Sequence, residues 1–230
     1  MLTCSLIHTH WICSHVLWTF KLLSRSMWRW WCCSREERPD RRKGVYVEFL
    51  DIVDDHGLPT GQVVERREAH AGGIPHRTSH VWLLRKHNGK TEILLQKRCE
   101  AKDSFPGCYD ISSAGHIPAG DDFVPSAIRE LKEELGLDAA GEDLIFCGDR
   151  SVVRDDEFRG KPFHDRQYSR VFALWCDRAE TGFRLQAEEV SAVKWMVLDC
   201  VIDAVEEGTI PNCIDPEELK MVKAAISQHL

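Results

Sequence analysis

The fold is decided by the stretch Gly115-His116-Ile117-Pro118-Ala119-Gly120-Asp121 and, after seven more residues, by Arg129-Glu130-Leu131-Lys132-Glu133-Glu134-Leu135-Gly136-Leu137. The apolar side chains of the second part recur at helical spacing and share one face, whereas its three glutamates share the opposite face. We therefore predict a helix over Pro125–Leu135. Gly136 ends this helix, because glycine readily adopts the left-handed conformation found at helix ends.

Three carboxylates on one helix face repel one another, by roughly 0.2–0.5 kcal/mol for each neighbouring pair on an exposed helix. Mg²⁺ or Mn²⁺ would relieve this repulsion, because such ions prefer oxygen ligands and keep several waters. A run of glutamates alone is usually a solvated surface. Here a loop bounded by Gly115 and Gly120 precedes the helix, and this combination indicates a divalent metal site.

Strand-like runs, rich in β-branched and apolar residues, flank the predicted helix in the sequence. Asn88-Gly89, the strongest short hairpin signal, joins two of these runs. The last helix has Asp215 as its cap and Pro216 at its first position. The predicted strands are Val45–Val53, His80–Leu84, Thr91–Gln96, Leu144–Cys147, Val171–Cys176 and Val193–Val197, and the predicted closing helices are Val201–Glu207 and Glu217–His229.

The spacing of the central motif resembles the Nudix box: Gly, five residues, Glu, seven residues, then Arg-Glu-aliphatic-any-Glu-Glu-any-Gly-aliphatic. Every position matches except the first Glu, which is Asp121 here. The resemblance implies the Nudix fold, an α/β (α+β) structure in which an α/β/α sandwich surrounds a mixed β-sheet. It also implies a hydrolase that cleaves a diphosphate (pyrophosphate) linkage with water activated by a divalent metal, Mg²⁺ or Mn²⁺.

The resemblance assigns a role to each fixed position of the motif. Catalysis falls to Glu133, Glu134 and Arg129, and the arginine forms a supporting salt bridge. The aspartate has a shorter side chain than the usual glutamate of its position. The implied metal ligands are Glu130, Glu133, Glu134, Gly115 through its backbone, and Asp121.

Five residues are candidate site residues on weaker patterns. Lys97 and Arg98 follow a strand and are candidate diphosphate contacts, since arginine offers a fork and lysine a point charge. A surface pair is the alternative. His116, next to the motif's first glycine, is a third candidate substrate contact. Glu188 and Glu189 precede a predicted strand and are candidate general bases, with a turn carboxylate as the alternative.

Features outside the motif resemble the isopentenyl-diphosphate isomerase branch of this family. The resemblance places isomerase metal-binding histidines at His70, His76 and His116. Two departures disfavour isomerase chemistry, because Ala114 stands where the isomerases have a catalytic Cys, and Gln167 where they have a catalytic Glu. Isomerisation needs one group to protonate an alkene and another to remove a proton. The matching segments outside the motif are Leu58-Pro59-Thr60-Gly61, Ala69-His70, Pro75-His76, Trp82, Gln96-Lys97-Arg98 and Phe105-Pro106-Gly107.

The hydrolase is therefore expected to act on a nucleoside-diphosphate-X or an isoprenoid-diphosphate-like small molecule. An isomerase-like protein is one alternative, and a catalytically silent diphosphate-binding module is another. The module is disfavoured because a protein that only binds need not keep the full set of carboxylates. Homodimers are common in the family that the sequence resembles, so a homodimer is one expected assembly.

Charge and cysteine usage bear on partners and compartment. Residues 45–230 hold 22 basic and 34 acidic residues, a net charge of about −12 that disfavours a nucleic-acid polymer as partner. The ten cysteines include no CxxC pair, as is common where a reducing compartment leaves thiols free. We therefore expect a cytoplasmic protein.

Residues 1–44 differ from the rest of the chain, since they are rich in Trp and Cys and basic in charge. Their first part carries too many polar residues for a membrane span, which needs about 20 consecutive apolar residues. We interpret residues 1–44 as a poorly ordered extension and residues 45–230 as the Nudix domain. A membrane anchor is the alternative, but no membrane partner is expected.

Deletion of residues 1–40 should leave folding and turnover essentially unchanged, because the segment shows no periodicity continuous with the domain and carries the opposite net charge. Circular dichroism and turnover of the truncated chain test this expectation. A truncated chain that is insoluble or inactive would show that the segment is part of the domain.

Overall fold

The computed structural model describes residues 47–228, so the predicted extension and the first residues of the first predicted strand lie outside the described part. No helix in that part is long and apolar enough to span a membrane. The elements are, in chain order, β1 Phe49–Val53, β2 Pro59–Glu65, α1 Arg66–Gly72, β3 His76–His87, β4 Lys90–Arg98, β5 Tyr109–Asp110, β6 Ser113–His116, α2 Phe123–Leu135, β7 Ile145–Phe158, β8 Lys161–Trp175, β9 Val190–Val197, α3 Leu198–Glu206 and α4 Pro216–Ser227.

Seven strands form one mixed sheet in the order β5-β4-β3-β8-β7, with β6 paired to β3 and β9 to β4. Strands β3 and β8 run parallel, whereas the other pairs are antiparallel. Helix α2 packs on one face, where Leu131 and Leu135 meet Leu83 of β3. Helices α3 and α4 cover the other face around Trp82. The predicted sandwich, with helices on both faces of a mixed sheet, is therefore confirmed.

Local signals predicted the turns and helix ends well. Asn88 and Gly89 have φ angles of 49° and 73°, which are the positive values that a tight hairpin turn requires. Helix α2 begins two residues before the predicted Pro125, with Asp122 as its cap, and ends at Gly136 with φ 62°. In α4 the Asp215 side chain accepts a hydrogen bond from the Glu217 amide, as its predicted capping role requires.

Several features of the fold were not predicted. Gly115 and His116, expected at the start of a loop, belong to strand β6 because this segment pairs with β3. Helix α1 follows β2 without a break, and its sequence has too few apolar residues to show helical periodicity. Strands β7 and β8 form a hairpin far longer than the predicted Leu144–Cys147 and Val171–Cys176. The added part is mostly charged or polar, so the apolar alternation that marks a strand is absent there.

Helix α4 is fastened to the sheet by a buried carboxylate. Glu218 is 2% exposed and accepts hydrogen bonds from His80 Nδ1 at 3.0 Å, Trp82 Nε1 at 2.8 Å and an Arg150 guanidinium nitrogen at 2.7 Å. Burial alone would raise the pKa of Glu218, but His80 and then Arg150 outweigh it and lower the pKa to about 2. The carboxylate is therefore ionised in the folded protein at ordinary pH.

Replacing Glu218 with Gln should lower the free energy of unfolding at pH 7 by about 3 kcal/mol, the usual cost of removing one partner of a buried ion pair. The stabilising effect of Glu218 is complete above pH 4.5, the ordinary pKa of Glu, and is lost as the pH falls toward 2. The difference in the free energy of unfolding between the wild type and Glu218→Gln should therefore become smaller in acid. Urea unfolding at pH 7 and pH 3 measures this gap, with exposed Glu217→Gln as the control on the same helix. An equal gap at both pH values would contradict the assignment.

Candidate active site

Strand β6 and helix α2 meet at Gly115. A Cβ atom built on this glycine would lie only 2.3 Å from the carboxyl carbon of Glu130, so any larger residue would push the glutamate away. The contact brings the backbone of the strand against the carboxylate face of the helix. These are two of the groups that the resemblance implies as metal ligands, and the structure places them side by side.

Arg129 holds two of the helix carboxylates. Its guanidinium lies 2.8 Å from a Glu130 oxygen and 3.2 Å from a Glu133 oxygen, and it donates a hydrogen bond to the backbone oxygen of His116 at 3.2 Å. Burial alone would lower the pKa of Arg129, but Glu130 and Glu133 raise it. The arginine therefore stays charged and links the helix face to the end of β6.

Glu134 is the most buried of the three glutamates, at 6% exposed. Burial and, next, the charge of Glu130 raise its pKa to about 8, although the nearby Ser113 side chain acts in the opposite direction. Its Oε2 atom has no hydrogen-bond partner among the described residues. A buried carboxyl group in this state suits a nearby cation, which would favour the ionised form and supply a partner for the orphaned oxygen.

Asp121 lies at the end of the loop that precedes α2, and its backbone anchors that loop. Its backbone oxygen accepts from Arg77 at 2.9 Å, and the same arginine pairs with Asp51 at 2.8 Å. Asp51 in turn accepts from the Gly120 amide at 3.0 Å. The buried Arg77–Asp51 pair therefore fixes the loop, and no local sequence pattern pointed to it.

Three histidines converge on the other side of β6. Among the described residues, His70, His76 and His116 are the group whose potential metal-ligand atoms all lie within 4.8 Å of one another; the three glutamates do not converge in this way. The Nε2 atoms of His70 and His116 are 3.1 Å apart. His76 donates from Nδ1 to the Ile74 backbone oxygen at 2.8 Å, so its Nε2 carries a lone pair.

The histidine group has the properties of a ligand set. Burial lowers the pKa of all three rings, that of His70 to about 3, so the rings are neutral as metal ligands must be. Asp165 Oδ1 lies 3.8 Å from both His70 Nδ1 and His76 Nε2, and burial raises its pKa to about 6. These three atoms are buried without hydrogen-bond partners among the described residues. Imidazole and carboxylate donors of this kind suit a divalent transition metal.

Lys102 is a half-buried cation within the electrostatic influence of Glu134, and the sequence did not point to it. Its ammonium group pairs with Glu189, and burial lowers its pKa, with Glu134 among the charges that act on it. The only sequence signal was one lysine in a polar loop, which is typical of solvated surface. Of the two candidate bases, Glu189 thus pairs with Lys102 through its side chain, whereas the backbone oxygen of Glu188 accepts a hydrogen bond from the Cys99 thiol at 3.0 Å.

Lys97 and Arg98 are consecutive residues of β4, so their side chains point toward opposite faces of the sheet. Arg98 pairs with Asp110 at 2.8 Å and donates to the Ser104 backbone oxygen at 3.1 Å. The arginine thus braces the loop that carries Lys102. A direct role of Lys97 or Arg98 in substrate binding stays a prediction.

The tip of the β7–β8 hairpin forms an aromatic wall beside the histidines. The ring of Phe163 stacks on His70 with a centroid distance of 4.7 Å. Phe158 makes edge contacts with Phe163 at 5.4 Å and with Phe105 at 4.7 Å. The unpredicted length of the hairpin therefore has a structural consequence, because it brings these rings to the site.

Comparisons with known proteins agree with this geometry. The family model described as NUDIX domain matches residues 75–218. An uncharacterized Nudix hydrolase of Clostridium acetobutylicum is 37% identical over 174 residues, which cover 72% of this chain and 81% of that protein. Nudix hydrolase 3 of Arabidopsis thaliana is 40% identical over 153 residues, which cover 65% of this chain and 19% of that protein.

A solved structure from Deinococcus radiodurans, DR0079, shares the fold with a TM-score of 0.55 and 17% sequence identity. The similarity covers 75% of this chain and 98% of that one. The resemblance inferred from the central motif is thus confirmed at the level of the family. Because the family match spans more than half of the chain, this protein belongs to the NUDIX domain family of hydrolases.

Proposed function

We propose that this chain hydrolyses the diphosphate linkage of a small molecule with the help of a divalent metal ion. Its family places it among the pyrophosphohydrolases, which cut an acid anhydride of phosphorus. The observation that carries the proposal is the contact between Gly115 and the carboxylate face of α2. At this contact the backbone of β6 lies against the carboxyl group of Glu130. On the same helix, one oxygen of the buried Glu134 has no hydrogen-bond partner among the described residues.

Arg129, Glu134 and Lys102 would have different roles in the hydrolysis. Arg129 fixes Glu130 and Glu133, and Glu134 can release or accept a proton near neutral pH because its pKa is raised. Lys102 offers a positive charge to phosphate oxygens close to Glu134. A divalent ion held by these carboxylates, with Asp121 as a further supporting group, would act as a Lewis acid toward the diphosphate and make water a stronger nucleophile.

His70, His76 and His116 would hold a second divalent ion, with Asp165 as an additional ligand. The neutral rings and the orphaned buried atoms of this group support that assignment. Its ligand set differs from the carboxylate set, so the two positions would favour different ions: Mg²⁺ or Mn²⁺ at the carboxylates and an imidazole-preferring metal at the histidines.

The substrate that we propose is a nucleoside-diphosphate-X or an isoprenoid-diphosphate-like molecule, and Glu188 and Glu189 stay the candidate bases. We place the reaction in the cytoplasm, which agrees with the free thiols of every cysteine among the described residues. Measuring phosphate release from a panel of diphosphates with Mg²⁺ and Mn²⁺ would identify the substrate class.

Activity should require an added divalent metal, and Glu134→Gln should lower kcat at least about a hundredfold, the lower range for loss of a group that handles protons. Gln keeps the shape of the side chain but cannot be ionised. Turnover on the best substrate of the panel, measured with and without a chelator, checks both expectations. The control is Glu142→Gln, because Glu142 is an exposed glutamate in the short turn Gly141–Asp143. Turnover that persists in chelator, or an unimpaired Glu134 variant, would contradict the proposal.

Isopentenyl diphosphate, if it reacts, should be hydrolysed and not isomerised. Ala114 lies opposite His80 in the β3–β6 pairing, and its methyl group carries no proton for an alkene. Gln167 is a very weak acid or base for the second proton transfer. NMR in D₂O separates the outcomes, because isomerisation would yield deuterated dimethylallyl diphosphate, whereas hydrolysis would release phosphate. The deuterated product at enzymatic rates would revive the isomerase alternative.

A further inference from the structure

A line of hydrogen-bonding side chains runs along one face of the sheet toward the histidine group. His76, Thr78 and His80 occupy alternate positions of β3 and therefore share a face. In the parallel pairing with β8, Gln167 lies beside His76 and Ser169 beside Thr78. The line begins at the buried pair of His80 and Glu218 and leads toward Asp165.

The first step has a fixed direction. His80 Nδ1 lies 3.0 Å from both carboxylate oxygens of Glu218. Burial alone would lower the pKa of His80, but Glu218 outweighs it and raises the pKa, which favours the ring form with a proton on each nitrogen. Its Nε2, 3.3 Å from Thr78 Oγ1, therefore donates to the threonine oxygen.

The second hydrogen bond, from Thr78 to Gln167, is donated in the same direction along the line. Thr78 Oγ1 accepts from His80 and can accept from the Ser169 hydroxyl at 2.7 Å, which leaves its own proton for Gln167 Oε1 at 3.4 Å. With its oxygen turned to Thr78, the Gln167 amide has its NH₂ group available for Asp165, which lies two residues earlier on the same face of β8. This orientation agrees with the effect of Gln167 on the Asp165 carboxyl group, whose pKa it lowers against burial.

We propose that Thr78, oriented by the buried His80–Glu218 pair, is a positioning residue for Asp165. It fixes the Gln167 amide so that the NH₂ group holds one Asp165 oxygen and the other oxygen faces His70 and His76. The inference rests on the proposed function only in so far as the histidine group binds a metal. The orientation of the amide is a property of the metal-free protein.

The chain offers matched variants for a test. Thr78→Val removes the hydroxyl at nearly constant volume, and Thr78→Ser should restore the chain of hydrogen bonds. Trp82→Phe removes a different donor to Glu218 and leaves the link through Thr78 intact, so it controls for general damage to the buried cluster. Should Thr78→Val fail to fold, Thr78→Ala removes the same hydroxyl from a smaller side chain, and the same measurements apply.

The first measurement uses metal-free, full-length protein. NMR follows hydrogen exchange of the Gln167 side-chain amide, whose signals are identified by their absence in Gln167→Glu. Loss of one hydrogen bond should speed this exchange about fivefold in Thr78→Val, whereas Thr78→Ser and Trp82→Phe should match the wild type. Equal exchange in Thr78→Val and wild type would overturn the proposal, whatever the metal measurements show.

The second measurement uses Co²⁺ as a spectroscopic probe of the histidine group. Its Kd should rise about tenfold in Thr78→Val, the lower range for loss of a group that orients a metal ligand, and stay near the wild-type value in Trp82→Phe. An unchanged Kd in Thr78→Val would also overturn the positioning role. Failure of the wild-type protein to bind Co²⁺ would instead refute the metal role of the histidines, and the amide exchange would still decide the orientation.

Discussion

The close approach of β6 to α2 at Gly115 is the constraint on which the rest of the site depends. The apolar side chains Leu131 and Leu135 press the helix onto the sheet, and the missing side chain of the glycine lets Glu130 reach the strand. Arg129 then spans the gap from the helix carboxylates to the backbone of His116. Gly115 thereby sets how closely helix α2 approaches strand β6, and so also the position of His116, the next residue of the strand.

Strand β6 also separates two kinds of ligand. Gly115 faces the helix carboxylates, and the next residue, His116, faces the other histidines, because successive side chains of a strand alternate. The carboxylate oxygens and the imidazole nitrogens therefore lie on opposite faces of β6. Arg129 connects the two sides, because it forms salt bridges with Glu130 and Glu133 and donates a hydrogen bond to the backbone oxygen of His116.

The sequence was sufficient where the signal was local. Fixed spacing predicted α2 and its end at Gly136, and Asn88-Gly89 predicted a hairpin, because each depends on a few consecutive residues. The histidine group could be found only by resemblance, since its members are scattered along the chain. The link between Thr78 and Gln167 was beyond reach, because it depends on the parallel register of two strands whose residues lie 89 positions apart. The long β7–β8 hairpin escaped prediction because its outer part is polar on both faces.

The pairing of His80 with Glu218 has a consequence for the order in which the protein can form. The two residues are 138 positions apart, and the acid that compensates the buried imidazolium is on the last helix. Synthesis on the ribosome proceeds from the N-terminus, so β3 emerges long before its anionic partner. Until α4 has left the ribosome, the central strand would have to keep His80 hydrated or unprotonated. Closure of that face of the sheet therefore has to follow the emergence of α4, because Glu218 on this helix completes the buried ion pair.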